Sequence, residues 1–256
     1  MKIFDSHAHY DDEAFDQDRE QLIETMFADQ IGTIVNVGAS VAGSHNSVDL
    51  AARYEHIYAS VGVHPSTVEE LTEEDMEWMK QEALHNPKVV AIGEIGLDYF
   101  YPEPDREIQK EWFLRQLQLA REVKKPVILH TRDACADTLD CLSQVHAEQI
   151  GGVVHCYSYS KETVKDFLRY GFYFGIGGVT TFKSAKKVVE AVAEIPMDKI
   201  LLETDSPCLT PEPHRGTRND SRNIIYIADK IADIKGLTTQ EVIDQAYQNA
   251  VACYRL

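Results

Sequence analysis

Two histidines lie one residue apart near the start of the chain, in the stretch "DSHAHYDD" (residues 5–12). The apolar run before them predicts a buried strand, and residues two apart in an extended chain point to the same side. His7 and His9 can therefore aim two imidazoles at one point, and imidazole is a common ligand of divalent metal ions. The pair predicts part of a metal site, although such pairs are also found as plain surface features.

Four further side chains of ligand type end other predicted strands, numbers four, five, six and eight. They are Glu94, His130, His155 and Asp205. Each alone has an ordinary explanation, such as a helix cap or a core histidine bonded to backbone. Together with the histidine pair they exceed the needs of one tetrahedral ion, so the sequence favours two divalent ions (magnesium, manganese or zinc) that share Glu94. Two ions about 3.5–4 Å apart can activate a water for an in-line displacement at phosphorus.

The elements that must position these residues follow a regular alternation. Eight short apolar runs alternate with longer segments of helical periodicity. The runs are KIFDS, TIVNVG, IYASVGVHP, VVAIGEIGLD, PVILHTRD, GVVHCYS, FYFGIGG and KILLETDSP. The clearest helices are predicted over 105–123, 219–235 and 238–254, the last opening with a capping box of Thr238 and Glu241. The pattern predicts an α/β fold, a single (β/α)8 TIM barrel over residues 1–256 with its active site at the C-terminal ends of the strands. A doubly wound open sheet is the structural alternative.

Composition restricts the classes of partner. The formal net charge of −17 argues against a broad electrostatic grip on duplex nucleic acid or an anionic membrane. It leaves room for a small phosphorylated substrate held by metal ions. The five cysteines are odd in number and contain no CxxC pair, which favours a reducing cytoplasm. No leader and no membrane span is expected.

Several residues are secondary candidates from their positions. His64 ends strand three and is predicted to contact the scissile phosphate or protonate the leaving oxygen, with a structural role as the alternative. Asp98 is expected to orient a ligand histidine. The arginines predicted to bind phosphate are Arg132, Arg215 and Arg218. Tyr99, Phe100 and Tyr101 form an aromatic run after strand four, and this run is predicted to stack on an unpaired base or, alternatively, to pack a loop over the barrel rim.

The motifs FDSHAHYDD, SVGVHPSTV, AIGEIGLDYFY, PVILHTRDA, VVHCYSYS and LLETDSPCLTPEPHRGTRND resemble those of the TatD family of metal-dependent hydrolases, within the amidohydrolase-like superfamily. The resemblance runs over essentially the whole chain. It implies a divalent-metal DNase that removes nucleotides from DNA 3′ ends, with Asp205 also receiving a proton from the attacking water. It also implies two ligand sets, His7, His9, Glu94 and Asp205 around one ion and Glu94, His130 and His155 around the other. Strand four lacks the lysine that related branches carboxylate to bridge their metals.

The expected function is therefore a metal-dependent deoxyribonuclease of the 3′–5′ exonuclease type. Its predicted catalytic residues are Glu94, Asp205 and His64. The expected substrates are single-stranded DNA ends or short oligonucleotides, and their binding is expected to be weak and sensitive to salt. We expect no interaction with a membrane and no obligate protein partner. The alternatives are hydrolysis of a C–N or ester bond in a small molecule or aminoacyl-tRNA, and a non-catalytic metal-binding protein.

Overall fold

Eight β-strands alternate with helices in the computed structural model, which describes residues 2–256. The strands are β1 (Ile3–Ala8), β2 (Ile31–Val37), β3 (Ile57–Val61), β4 (Val89–Asp98), β5 (Val127–Arg132), β6 (Gly152–Val154), β7 (Tyr173–Ile176) and β8 (Ile200–Leu202). The helices are α1 (Arg19–Ala28), α2 (Val41–Arg53), α3 (Glu73–His85), α4 (Arg106–Val123), α5 (Cys135–Gln144), α6 (Lys161–Leu168), α7 (Lys186–Glu194), α8 (Ile224–Lys235) and α9 (Thr239–Tyr254).

The strands belong to one eight-stranded sheet, in the order β1 to β8. Ala8 at the end of β1 also forms a parallel bridge with Ser206, which follows β8. Eight parallel strands with alternating helices form a (β/α)8 barrel. The predicted fold class is confirmed. That the chain behaves as a single domain stays a prediction.

The first of two compact units comprises the chain up to Asn36, Cys156–Lys165 and Tyr173–Ala252. In it β1 pairs in parallel with β2, and β7 with β8. Its fully buried side chains include Ile3, Ile34, Phe174, Leu201 and Ile227. The valine, isoleucine and phenylalanine runs are continuous because strands of a barrel are covered on both faces.

The second unit comprises Val37–His155, Asp166–Phe172 and Cys253–Leu256. In it β3, β4, β5 and β6 form three consecutive parallel pairs. Its fully buried side chains include Val61, Ile92, Phe113, Leu117 and Leu129. The apolar residues of α4 recur at helical spacing because they face this core.

The helix signals of the sequence are largely confirmed, with one shifted boundary. Asp105 caps α4 by accepting from the Glu107 N–H, and the capping box at the start of α9 forms. Helix α8 begins at Ile224, later than predicted, because the Asp220 side chain instead caps a 3-10 turn over Ser221–Asn223. Among residues 2–256, no helix has the length and apolarity that crossing a bilayer requires.

Strand β4 differs from the prediction in a way that matters for the site. The predicted run VVAIGEIGLD is strand over its whole length, to Asp98, so Glu94, which was predicted to end the strand, lies inside it. Between Ile92 and Ile95 its register to β5 shifts, because three residues of β4 oppose two of β5. Glu94 therefore lies at a bulge inside a strand rather than at a strand end. A bulge re-aims the side chain it carries, and this is the common use of bulges beside functional sites.

Candidate metal centre

The first unit brings together His7, His9 and Asp205. His7 Nε2 lies 3.1 Å from His9 Nε2, and Asp205 Oδ1 lies 3.7 Å from the first nitrogen and 3.5 Å from the second. His7 is 1% exposed, whereas the side chains of His9 and Asp205 are 20% and 23% exposed. Three ligand atoms thus converge at one partly open point, as the sequence predicted for the histidine pair.

Backbone hydrogen bonds between β1 and the segment after β8 hold this group in place. The Asp205 N–H donates to His7 O at 2.9 Å, and the His9 N–H donates to Ser206 O at 2.8 Å. Asp205 adopts a positive φ of 56°, in the left-handed region. These contacts fix the carboxylate beside the two imidazoles.

The buried carboxylate of Asp5, which the sequence analysis did not single out, also links β1 to the segment after β8. Asp5 accepts hydrogen bonds from the His7 N–H, from both the N–H and the hydroxyl of Thr204, and from the Ser221 hydroxyl. Burial raises the pKa of Asp5 to about 7, while these hydrogen bonds act in the opposite direction. Asp5 therefore connects His7, Thr204 and Ser221 in one hydrogen-bond network.

The second unit gathers three imidazoles around a single carboxylate oxygen. Glu94 Oε1 lies 2.8 Å from His130 Nδ1, 3.9 Å from His155 Nε2 and 4.0 Å from His64 Nε2. Glu94 is 4% exposed and His155 is 5% exposed. Imidazole nitrogens surrounding a buried carboxylate form a donor set of the type that binds divalent ions.

Asp98 holds the His130 ring from the other side. Its Oδ2 accepts from His130 Nε2 at 3.0 Å, the orientation in which a carboxylate fixes a metal-binding histidine. Burial lowers the pKa of His130, but the hydrogen bonds to Asp98 and Glu94 outweigh it and the net shift is upward. For Asp98, burial raises the pKa, but the hydrogen bonds with His130 and the Phe100 N–H outweigh burial, so the net shift of its pKa is downward. Asp98 leaves Nδ1 of His130 as the nitrogen available to an ion.

Asp98→Asn is expected to weaken metal binding by about 10–100-fold, because the amide cannot retain the Nε2–H of His130 as a carboxylate does. The affinity is measured by competition against a fluorescent chelator, with the surface substitution Asp140→Asn as the matched control. Equal affinities for Asp98→Asn and the wild type would remove Asp98 from the site.

His64 is placed to donate a hydrogen bond. The Ser66 N–H donates to His64 Nδ1 at 3.1 Å, so the proton of the neutral ring resides on Nε2, which faces Glu94. Burial lowers the pKa of His64 to about 4, which keeps the ring neutral near pH 7. A neutral imidazole offers its N–H as a hydrogen bond and is a weak source of a full proton. The catalytic role of His64 stays a prediction.

Glu203 is a further buried acid that the sequence reasoning passed over. It is 1% exposed, and its Oε1 accepts from the Cys156 N–H at 2.7 Å, at the turn that follows His155. The signal was present, because Glu203 and Asp205 are two apart where β8 ends and such residues share a face in extended chain. Gly175 leaves room for it, since a Cβ there would lie 2.0 Å from Glu203 Oε2.

Gly175→Ala is expected to lower the free energy of unfolding by about 1–3 kcal/mol, because the added methyl group meets the buried Glu203 carboxylate. The control is Gly177→Ala, whose Cβ would lie 3.6 Å from Glu203 Cγ, an ordinary contact. Urea denaturation compares the two variants. Equal stability of both would contradict the packing of Glu203 described above.

The predicted substrate-binding residues occupy different environments. Arg218 gives both of its terminal nitrogens to Asp18, at 2.8 and 2.6 Å. Arg215 is exposed and lies over the Phe182 ring at 4.1 Å. The two other predicted residues, Arg132 and Tyr99, are joined by a hydrogen bond from the Tyr99 N–H to Arg132 O at 2.9 Å. Their contacts with substrate stay predictions.

The donor atoms fit divalent ions. Ligand atoms about 2.0–2.1 Å from a tetrahedral zinc ion lie about 3.3 Å from one another. The three separations in the first group, 3.1, 3.5 and 3.7 Å, are close to this value. In the second group Glu94 Oε1 has imidazole nitrogens at 2.8 and 3.9 Å from His130 and His155. Mixed imidazole and carboxylate sets accept zinc, manganese or magnesium.

Comparison with known proteins agrees with this chemistry. A family model described as TatD related DNase matches residues 4–255. The uncharacterized metal-dependent hydrolase YabD of Bacillus subtilis is 42% identical, over 99% of both chains. YcfH of Escherichia coli, also an uncharacterized metal-dependent hydrolase, is 34% identical over 100% of this chain and 97% of its own. The crystal structure of YjjV, a TatD homolog from Escherichia coli, matches with a TM-score of 0.92 at 28% identity, covering 99% of this chain and 98% of that one.

Barrel fold, histidine–carboxylate groups and relatives together define a metal-dependent hydrolase. The chain belongs to the TatD-related DNase family. The family resemblance of the sequence motifs is thereby confirmed.

Proposed function

We propose that this protein is a phosphodiesterase that uses two divalent ions to remove nucleotides from the 3′ ends of single-stranded DNA or short oligonucleotides. The observations that carry the proposal are the convergence of three imidazoles on Glu94 Oε1 in one unit and the convergence of His7, His9 and Asp205 in the other. The six proposed ligands among them, which leave out His64, are more than one ion uses. The DNase description of the family model adds support.

The proposed ligands are assigned as follows. One ion would be held by His7, His9 and Asp205, and the other by His130 and His155, and Glu94 would be a ligand of both. Ions bound in this way supply Lewis acidity and lower the pKa of water toward about 7. The identity of the ions, zinc, manganese or magnesium, is left to experiment because mixed donor sets accept each of them.

Side chains of the protein would accept the proton of the water and donate hydrogen bonds to the phosphate oxygens. Asp205 is partly exposed and in this proposal accepts the proton of the attacking water on its carboxylate. His64, neutral with its proton on Nε2, donates a hydrogen bond to a phosphoryl oxygen. Arg132 and Arg215 are exposed and supply further hydrogen bonds to phosphate.

The proposed setting follows from composition. The net charge of −17 favours capture of a strand end through few phosphate contacts, so binding is expected to weaken steeply as salt increases. The odd number of cysteines, with no CxxC pair, supports a cytoplasmic location. We propose no obligate protein partner.

A substrate panel separates this function from its alternative. The protein is stripped with a chelator, reloaded with a single kind of ion, and assayed on a nitrophenyl nucleotide diester, an aminoacyl ester and an acyl amide. Ion-dependent hydrolysis of the diester is expected to exceed that of the other two. A higher rate on the ester or the amide would move the assignment to the C–N or carboxylic ester hydrolases.

A further inference from the structure

We propose that Phe100, Tyr101 and Arg132 form a nucleotide subsite, in which Arg132 binds a phosphodiester group and Tyr101 stacks on the neighbouring base. We call these three residues the aromatic platform. The proposal rests on the proposed phosphodiesterase function and deepens it by assigning where the strand is gripped. It narrows the stacking role, which the sequence predicted for the run Tyr99, Phe100 and Tyr101, to Tyr101.

The two aromatic residues of the platform are exposed to solvent. Phe100 is 54% exposed and Tyr101 is 56% exposed, and within residues 2–256 the other exposed large hydrophobic residues are aliphatic. Their rings meet edge to face, with centroids 4.9 Å apart. Two adjacent exposed aromatic rings offer the kind of surface on which unpaired bases stack.

The guanidinium group of Arg132 lies over this surface. Its guanidinium carbon lies 3.7 Å from the centroid of the Phe100 ring and 5.7 Å from that of Tyr101. Arg132 is exposed, and a guanidinium group over an aromatic ring can still use the N–H groups of its edges as donors. Those edges match phosphate oxygens in geometry and charge. Arg218, by contrast, already gives its edge to Asp18.

The loop that carries the platform is ordered by one buried side chain, Gln109. Its Oε1 accepts from the Asp98 N–H at 2.9 Å, and its Nε2 donates to Asp98 O at 3.0 Å and to Pro104 O at 2.8 Å. Both ends of the loop are therefore tied to α4. An ordered loop loses less conformational entropy when a ligand binds.

Tyr99 anchors the loop through its hydroxyl and its ring, which both contact other residues of the protein. Its hydroxyl donates to Asp137 Oδ2 at 2.7 Å, and the Arg106 guanidinium lies over its ring at 4.3 Å. These contacts occupy the hydroxyl and a face of the ring. The next two residues, Phe100 and Tyr101, are the ones left facing solvent.

The platform is connected directly to the second ligand group. Asp98 Oδ1 accepts from the Phe100 N–H at 2.9 Å, while Asp98 Oδ2 accepts from His130 Nε2 at 3.0 Å. Arg132 follows His130 by two residues in β5. A phosphate on Arg132 is therefore close to the proposed reaction centre, and the base stacked on Tyr101 belongs to a nucleotide neighbouring the scissile bond.

Binding of a nuclease-resistant strand tests the subsite. The probe is a short, fluorescein-labelled, single-stranded oligodeoxynucleotide with phosphorothioate linkages, titrated with the manganese-loaded protein and followed by anisotropy. Tyr101→Leu is expected to weaken binding by about 5- to 150-fold, the range for loss of one base stack. Arg132→Met is expected to weaken it by about 10- to 150-fold, the range for loss of a hydrogen bond between charged groups. Tyr101→Phe is expected to bind like the wild type. The matched control is Arg169→Met, which removes an exposed arginine lying over Tyr170.

An oligonucleotide with abasic positions identifies stacking as the cause. It is expected to bind the wild type more weakly and to be insensitive to Tyr101→Leu. The subsite is overturned if Tyr101→Leu binds the intact strand like the wild type, or if the abasic strand binds as well as the intact one. If strands bind through the platform but no unmodified strand is hydrolysed, the proposed function fails and the subsite stands. If strands are hydrolysed and the variants bind normally, the reverse holds.

Discussion

Glu94→Gln is expected to lower kcat/KM for phosphodiester hydrolysis by about 10³-fold or more, equivalent to about 4 kcal/mol of transition-state stabilisation. Glutamine keeps the shape of the side chain but removes the negative charge on the oxygen that faces His130, His155 and His64. Without that charge the imidazoles cannot hold an ion tightly. Initial rates on a nitrophenyl nucleotide diester measure the loss, and elemental analysis of the purified protein measures the metal content.

The matched control is Glu107→Gln, an 80% exposed glutamate on α4. It is expected to retain wild-type activity and metal content. If Glu94→Gln is as active as Glu107→Gln at saturating metal concentration, Glu94 is not a metal ligand that the reaction needs. A variant that loses metal but keeps its thermal transition separates the loss of the site from the loss of the fold.

Asp205→Asn is expected to reduce kcat by about 10²–10³-fold while the protein stays folded, the magnitude typical of a removed electrostatic contact at a reaction centre. The carboxylate lies 3.5 Å from His9 Nε2 and 3.7 Å from His7 Nε2, and asparagine can neither neutralise an ion there nor accept a proton. The backbone bond from the Asp205 N–H to His7 O does not depend on the side chain.

Steady-state kinetics on the same diester, with KM and kcat determined separately, measure this effect. The surface substitution Asp244→Asn serves as the control and is expected to change neither constant. A normal kcat for Asp205→Asn at saturating metal would exclude Asp205 from the chemistry and leave it a structural role in the segment after β8, where its N–H bonds to β1.

The alternation of apolar runs and helical segments was sufficient to predict the barrel, because parallel strands buried on both faces produce continuous apolar runs. Convergence of His7 with His9 followed from the period of two in a strand. Local capping signals also predicted correctly, as at Thr238 and Glu241. These features depend on residues close together in sequence.

Features that depend on register or on distant partners were not predictable. The bulge at Glu94 arises from the pairing of β4 with β5, which a single sequence does not reveal. The partner of Arg218, Asp18, lies 200 residues away, and the role of Gln109 in ordering the loop after β4 is visible only in the fold. Glu203 could have been noticed from its spacing to Asp205, but the room that Gly175 provides for it could not.

Removal of nucleotides from DNA 3′ ends is tested by product analysis on a single-stranded oligonucleotide carrying a 5′ label. Wild type and Glu94→Gln are each stripped of metal, reloaded with magnesium, manganese or zinc, and incubated with the strand. With at least one of the ions, the wild type is expected to give a ladder that shortens from the 3′ end and to release mononucleotides. Glu94→Gln is expected to give neither. A strand left intact by a wild-type protein that has bound its ions would contradict the proposed function.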